Sequence, residues 1–351
     1  MTSALPPSGR SFSPPRREIR LIVALSVAVA AWGFAVLKLR ASGPYFIAGD
    51  FTVHWRAADA MLRGFSPYKV INTMPVYPFS AGYPYFLSTA AVMMPFGLLS
   101  PPTAMAVFSG LSAGILAYAL TKEGYWRIPL IVSAPVVWST STGQLTPLIT
   151  AAILLPTLGW LAPIKFTLGA AGALYNLSIR YVVLATGIVL LSVLIWPWWP
   201  REWWAELSDF PHRAYHVPVF VPGGVILIAG LARWRRPEAR LLVAMACIPQ
   251  TMLFYDQLPL ALVARSRRQA LAFALASYAA PALSVALYGM AAMDRMLLFA
   301  RHAPIILVCY YLPCLVVVLM RPNEGLVPQW VERRAIHLPA WLRGRPSSRD
   351  E

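Results

Sequence analysis

Two carboxylates, one ammonium group and two groups able to meet an anion stand out, because each lies in or beside apolar sequence where charge is costly. Asp50 opens the run Gly49-Asp50-Phe51-Thr52-Val53-His54-Trp55-Arg56-Ala57-Ala58-Asp59-Ala60-Met61-Leu62-Arg63-Gly64, with His54 one helical turn later. Lys165 and Asp256 sit inside apolar stretches, and Arg213 lies between His212 and His216. Such groups suit proton transfer and anion binding. Each also has a purely structural reading. Asp is a favoured N-cap, and Asp50 directly precedes a helical pattern. Lys165 can snorkel its amine to an interface; as an intramembrane cation it is equally a functional candidate. His54 can support Asp50, contact a phosphate, or simply belong to an amphipathic face. Two His four residues apart do not make a metal site on their own; no essential metal and no cofactor are expected.

The elements that must position these groups follow from composition. Of 351 residues, 58% are apolar and 13% charged, against roughly 45–50% and about 25% in soluble domains. Apolar runs of spanning length recur from residue 21 to 320, which excludes disorder, a coiled coil and an ordinary soluble fold, and makes the bilayer the principal solvent. The formal charge of +16 then reports membrane orientation rather than nucleic-acid binding, and membrane lipids are the expected partners. Cys247, Cys309 and Cys314 all lie in apolar runs, without disulfide or zinc spacing. Nucleotide, zinc-protease and serine-hydrolase signatures are absent.

The reading is an all-α polytopic protein with spans near 21–39, 82–99, 103–120, 128–142, 145–161, 163–179, 181–199, 217–232, 269–290 and 303–320. Residues 241–264 have basic flanks on both sides, which the positive-inside preference draws to one face. Ile248-Pro249-Gln250 breaks this stretch, so it is expected to enter and return as a re-entrant pair with Asp256 near its apex. Residues 1–20 form a basic head, 21–320 the membrane domain and 321–351 a basic tail, with both termini cytoplasmic and the chain in the cell membrane. Phe51, Trp55, Ala58 and Leu62 make one apolar stripe of an interfacial helix; Arg56, Asp59 and Arg63 fall on another face, where Asp59 is expected in solvated ion pairs. Trp196-Pro197-Trp198-Trp199-Pro200-Arg201-Glu202-Trp203-Trp204 reads mainly as an aromatic belt, with sugar stacking as a second possibility.

The order of these features resembles a known family. Asp50-Phe51, Trp55, Ala57-Ala58, Leu62, Gly64 and Pro67-Tyr68, then Tyr77-Pro78-Phe79 before a helix reaching Pro95 and Leu98-Leu99-Ser100-Pro101, look like the first external loop and second helix of family-87 glycosyltransferases. These belong to the C-type superfamily of multi-pass enzymes that take sugars from polyprenyl phosphate. Gly143-Gln144, Ile164-Lys165-Phe166, the Trp196–Trp204 segment and Ile248-Pro249-Gln250 leading to Tyr255-Asp256 follow in the family's order. Phe166 departs from it, standing where Pro is usual. The resemblance implies an inverting transfer from a polyprenyl-phosphate sugar, mannose-like by family habit, to a lipid or glycan acceptor. Asp50 would be the general base, Lys165 would lie near the donor phosphate, and His54, Asp256 and Arg213 would bind substrate. The span assignment puts Gly143-Gln144 at the cytoplasmic end, away from Asp50. Two other classes compete: a transporter or flippase of a lipid-linked sugar or small solute, and a non-catalytic membrane subunit.

Overall fold

The computed structural model describes residues 16–42, 50–70, 82–209, 216–289, 301–335, 337 and 339–344. Among them the fold is all-helical. The helices are α1 (Arg17–Ala41), α2 (Phe51–Leu62), α3 (Pro67–Val70), α4 (Leu87–Gly97), α5 (Pro101–Leu120), α6 (Ala134–Thr142), α7 (Thr146–Leu154), α8 (Phe166–Asn176), α9 (Ile179–Ile195), α10 (Trp199–Asp209), α11 (Pro237–Cys247), α12 (Arg267–Ala276), α13 (Ala279–Tyr288), α14 (Ala303–Leu319), α15 (Gln329–Ala335) and α16 (Ala340–Arg343). Three are long and apolar enough to cross a bilayer: α1, α5 and the rod Arg267–Tyr288 formed by α12 and α13. A fourth results if α9 and α10, bent by 103°, count as one span.

The ten expected crossings are therefore not ten continuous helices, and proline is one reason. Tyr125–Val132, Pro156–Lys165 and Phe254–Val263 are wound as 3₁₀ helix, and carry Pro129, Pro163 and Pro259 inside them. Proline removes the donor that an α-turn needs, and the tighter winding stretches the chain. At ~2.0 Å per residue in its 3₁₀ part and ~1.5 Å in α6, Tyr125–Thr142 extends roughly 30 Å, about one hydrocarbon thickness. Ser277, between α12 and α13, anchors this pass. Its hydroxyl accepts from the Ala134 amide at 2.9 Å and its carbonyl accepts from the Tyr310 hydroxyl at 2.7 Å.

Side-chain ties define two ends of the bundle. At one, Arg20 near the start of α1 donates to Tyr118 O at 2.8 Å at the end of α5, Lys122 reaches Leu154 O, and Glu238 gathers arginines. At the other, Trp55 donates to Leu99 O at 2.9 Å and Asp50 meets the turn after α6. Helices α1 and α5 thus run antiparallel along a seam of small residues. A Cβ on Gly110 or Gly114 would come within 2.8 Å of Ala28 atoms, the close approach that a Gly-xxx-Gly spacing permits.

The expected span at 82–99 is corrected by this geometry. Helix α4 has 11 residues, about 16 Å at 1.5 Å per residue, half of what a crossing needs. It packs on α2, and its exit at Leu99 stays at the Asp50 end. Its sequence is apolar all round because protein covers it: Leu87, Ala90 and Met93 are fully buried. The next pass, α5, consequently runs from the Asp50 end to the Glu238 end, and the pass after it returns Gly143-Gln144 to Asp50. The stretch 241–264 does fold back on itself. Glu238 at the start of α11 takes Arg265, just past Phe254–Val263, at 2.6 Å, so both limbs begin and finish at one end. Part of the basic tail is packed: Arg235 makes a two-point ion pair with Glu332 (2.9 and 2.8 Å), and Trp234 donates to Leu342 O at 2.6 Å.

Candidate functional site

The site grows from the first turn of α2. Asp50 stands at the N-cap position, yet its carboxylate makes no hydrogen bond to the backbone of that turn. Instead Asp50 Oδ2 accepts from Gln144 Nε2 at 2.6 Å, across 94 residues of chain. Gly143 makes the meeting possible. It ends α6 in the left-handed region (φ +67°), and a Cβ there would sit 2.6 Å from Phe51 Cβ; only glycine takes both the dihedral and the approach without strain. This corrects the expectation that Gly143-Gln144 lies away from Asp50.

Two residues after Gln144, Thr146 Oγ1 donates to Asp256 Oδ1 at 3.3 Å. One turn of chain thus touches both carboxylates. Asp256 is almost fully buried and forms an ion pair with Lys165, which is itself 14% exposed; Thr251 donates to its other oxygen at 2.7 Å. Lys165 also lies over the Tyr255 ring, 5.1 Å from its centroid. The arrangement makes Asp256 an internal counter-ion that aims Lys165, rather than a group open to a substrate. Lys165 takes its place at the junction of Pro156–Lys165 and α8, fixed on one side by Ile164 O accepting from Thr89 at 3.2 Å and on the other by Phe166 stacked on Phe86 at 4.8 Å.

His54 faces inward. Its ring meets Tyr85 edge-on at 4.6 Å and its Nδ1 has no hydrogen-bond partner among the described residues. Burial, with the nearby Lys165 ammonium, pulls its pKa from 6.5 to about 3, so at neutral pH it is an uncharged imidazole. Helix α2 is embedded more deeply than a surface stripe predicts: Arg56 and Asp59 are both buried, and Asp59 pairs with Arg63 at 3.0 Å. Helix α2 packs against α4, α3 and α5, and α10 is tied to the residues that follow it. Glu202 on α10 takes Lys69 at 2.8 Å and Ser66 at 2.6 Å, and Glu206 accepts from the Tyr83 amide at 3.0 Å.

The tryptophan segment divides between two duties. Trp198 and Trp204 are 70% and 66% exposed, as belt residues are, whereas Trp199 is 3% exposed and packs with Trp203 against Phe86. Gln144 and Thr146, which tie the two carboxylates together, were not singled out as site residues by sequence; a Gly-Gln pair ending one helix and a Thr-Pro starting the next were the available signal. Arg213 lies outside the described residues. Among the described residues no three His, Cys, Asp or Glu side chains gather where they could hold a metal ion. Asp50, half-buried and held by a neutral amide, can accept a proton; Lys165 can bind an anion if its pairing with Asp256 is shared. Comparison with protein-family models, with curated proteins and with solved structures gives no match.

Proposed function

We propose that this chain is an inverting glycosyltransferase of the cell membrane, multi-pass with both termini cytoplasmic, which moves a sugar from a polyprenyl phosphate to a lipid or glycan acceptor at the outer face. The observation that carries this reading is the Asp50–Gln144 hydrogen bond. It joins two motifs of the family-87 resemblance that are far apart in sequence, and it holds Asp50 away from helix capping.

In the proposed step Asp50 takes the proton of the acceptor hydroxyl while that oxygen attacks the anomeric carbon. The bond from this carbon to the phosphate oxygen breaks on the opposite face, and the polyprenyl phosphate leaves with the electron pair. The charge it gains faces Lys165, which stabilises it electrostatically. Neutral His54 adds no charge that would compete with Asp50 for the proton. Sugar phosphate on lipid is already activated, which agrees with a chain lacking nucleotide-binding signatures. The arginine-rich Glu238 end is read as cytoplasmic by the positive-inside preference, with the 241–264 hairpin entering from that side.

A second reading has one observation in its favour: a buried Lys165–Asp256 pair beside a broken hairpin is also how transporters build midplane sites. Transfer from radiolabelled polyprenyl-phosphate sugars by purified protein in lipid separates the two. Asp50→Asn, folded as stably as wild type, is expected to lose 10²–10⁴-fold in rate. Unchanged transfer would make Asp50 part of the scaffold, and a wild type inactive with every donor would turn the argument to transport or a non-catalytic subunit.

A further inference from the structure

At the Glu238 end of the bundle a buried guanidinium group is only half used. Arg127 lies in the first turn of the Tyr125–Val132 segment and is 1% exposed. Gly124 brings it there. Its positive φ of +121° turns the chain back from the end of α5, and Trp126 then covers one face of the guanidinium, with Arg127 Cζ 4.3 Å from the ring centroid. Nη1 faces Glu123 across the same turn at 3.3 Å, whereas Nε and Nη2 have no partner among the described residues. These two nitrogens share one edge of the planar group, the edge whose parallel N–H bonds fit two oxygens of a carboxylate or phosphate.

The arginines around it are used differently. Arg235 gives both terminal nitrogens to Glu332, and Arg233 and Arg240 donate to carbonyls at helix ends. A charged donor buried without a bond is among the costlier states of a polar group, and the ion pair with Glu123, whose side chain is more than half exposed, returns little of that cost. The balance of charge points the same way. Arg236, Arg240, Arg265 and Arg321 stand about Glu238, so with Arg127 five guanidinium groups face the two carboxylates of Glu123 and Glu238. The phenol of Tyr175, at the end of α8, lies in the field of Arg127, Arg240 and Arg265 and joins them into one neighbourhood.

We propose that the Nε–Nη2 edge of Arg127 binds a phosphate group, in exchange for Glu123. Glu123 is the group that yields, because it sits on the exposed turn after α5 and meets a single nitrogen; a phosphate meets two and brings the negative charge that the cluster lacks. The phosphate is that of a lipid headgroup or free in solution. Tyr125–Thr142 extends about one hydrocarbon thickness, which brings its first residues to headgroup level. The site lies at the opposite end of the bundle from Asp50, and the inference neither needs nor supports the transferase reading.

The test follows the unfolding midpoint of the purified full chain in an uncharged maltoside detergent, titrated with phosphatidylglycerol or with inorganic phosphate, the ionic strength being held constant with chloride. Wild type is expected to be stabilised saturably: by the lipid alone if a headgroup is the source, and by inorganic phosphate as well if free phosphate suffices. Arg127→Lys keeps the charge but meets the anion at one point, and should weaken binding about tenfold. Glu123→Gln, a change at an exposed side chain, removes the competing carboxylate and should tighten binding about threefold; it carries the test should Arg127→Lys fold poorly. The same affinity in all three proteins, or no saturable effect in wild type, would overturn the proposal and leave Arg127 as the partner of Glu123 alone.

Discussion

The two ends of the bundle treat charge in opposite ways. At the Glu238 end one fully buried carboxylate is met by Arg265 at 2.6 Å, Arg321 at 2.7 Å and Arg236 at 3.5 Å. Neighbouring arginines there are used up on helix ends: Arg240 donates to Leu174 O and Tyr175 O at 2.7 and 3.0 Å, and Arg233 to Leu319 O at 3.0 Å. These guanidinium groups satisfy carbonyls that a helix C-terminus leaves open. Every strong contact serves closure of the fold. At the Asp50 end the contacts shown are of another kind. Asp50 has an amide partner and partial exposure, and Asp256 has one ammonium and two hydroxyls. Several arginines on one carboxylate close the fold at that end; at the other the side chains that tie the carboxylates include an amide, two hydroxyls and one ammonium group.

Removing one carboxylate at each end breaks this comparison most directly. Glu238→Gln leaves three arginines around a neutral amide, and should cost about 3–5 kcal/mol, the usual result of deleting one member of a buried ionic cluster; unfolding in a mild detergent would show it. The Asp50→Asn protein described above should unfold within ~0.5 kcal/mol of wild type, since its side chain is only partly buried and an Asn can still accept from Gln144. Equal losses at both ends would remove the distinction.

His54 sharpens it through pH. Its folded pKa of about 3 lies below the unfolded 6.5, so the unfolded chain binds the proton more tightly. Stability attributable to neutral His54 is whole above pH 6.5 and declines as pH falls toward 3, by about 1.4 kcal/mol per unit, or roughly 2 kcal/mol at pH 5. His54→Gln should flatten this slope, measured as unfolding midpoint against pH. A slope unchanged by that substitution would mean the imidazole is not the group that titrates.

A modest effect on rate is expected at Gln144. Gln144→Leu removes one neutral donor to a charged acceptor and should lower kcat about tenfold, near 1.4 kcal/mol, while leaving KM for the acceptor unchanged. A rise in KM alone would place Gln144 in substrate binding instead of base positioning.

Much of the architecture is legible along the chain because apolarity and charge are local properties. The long helices α1 and α5, the amphipathic start at Phe51 and the basic flanks of 241–264 can each be read from their own residues. The fate of residues 82–99 cannot. A segment as apolar as α4 declares that it avoids water, but lipid and protein exclude water equally well, and only its partners α2 and α5 show which one covers it. That single ambiguity reversed the expected side of Gly143-Gln144. In the same way Arg56 and Asp59 look like a solvated face until the fold buries them. Trp198 and Trp199, adjacent in sequence and identical in kind, separate into exposed and buried only because α10 turns through 103° from α9.

Residue type and spacing alone establish that this protein is helical, that much of its surface is apolar, and which few polar side chains are expensive enough to need an explanation. Composition and period suffice for this, since transfer free energy and helical repeat depend on each residue and its near neighbours. Which of those side chains meet depends on how the chain packs. Asp50, Gln144, Thr146, Asp256 and Lys165 come together through the left-handed turn at Gly143, a short helix that returns without crossing, and a hairpin closed by Glu238 and Arg265 at its far end. Those are contacts between residues far apart in sequence, and their energies exist only once the chain is packed.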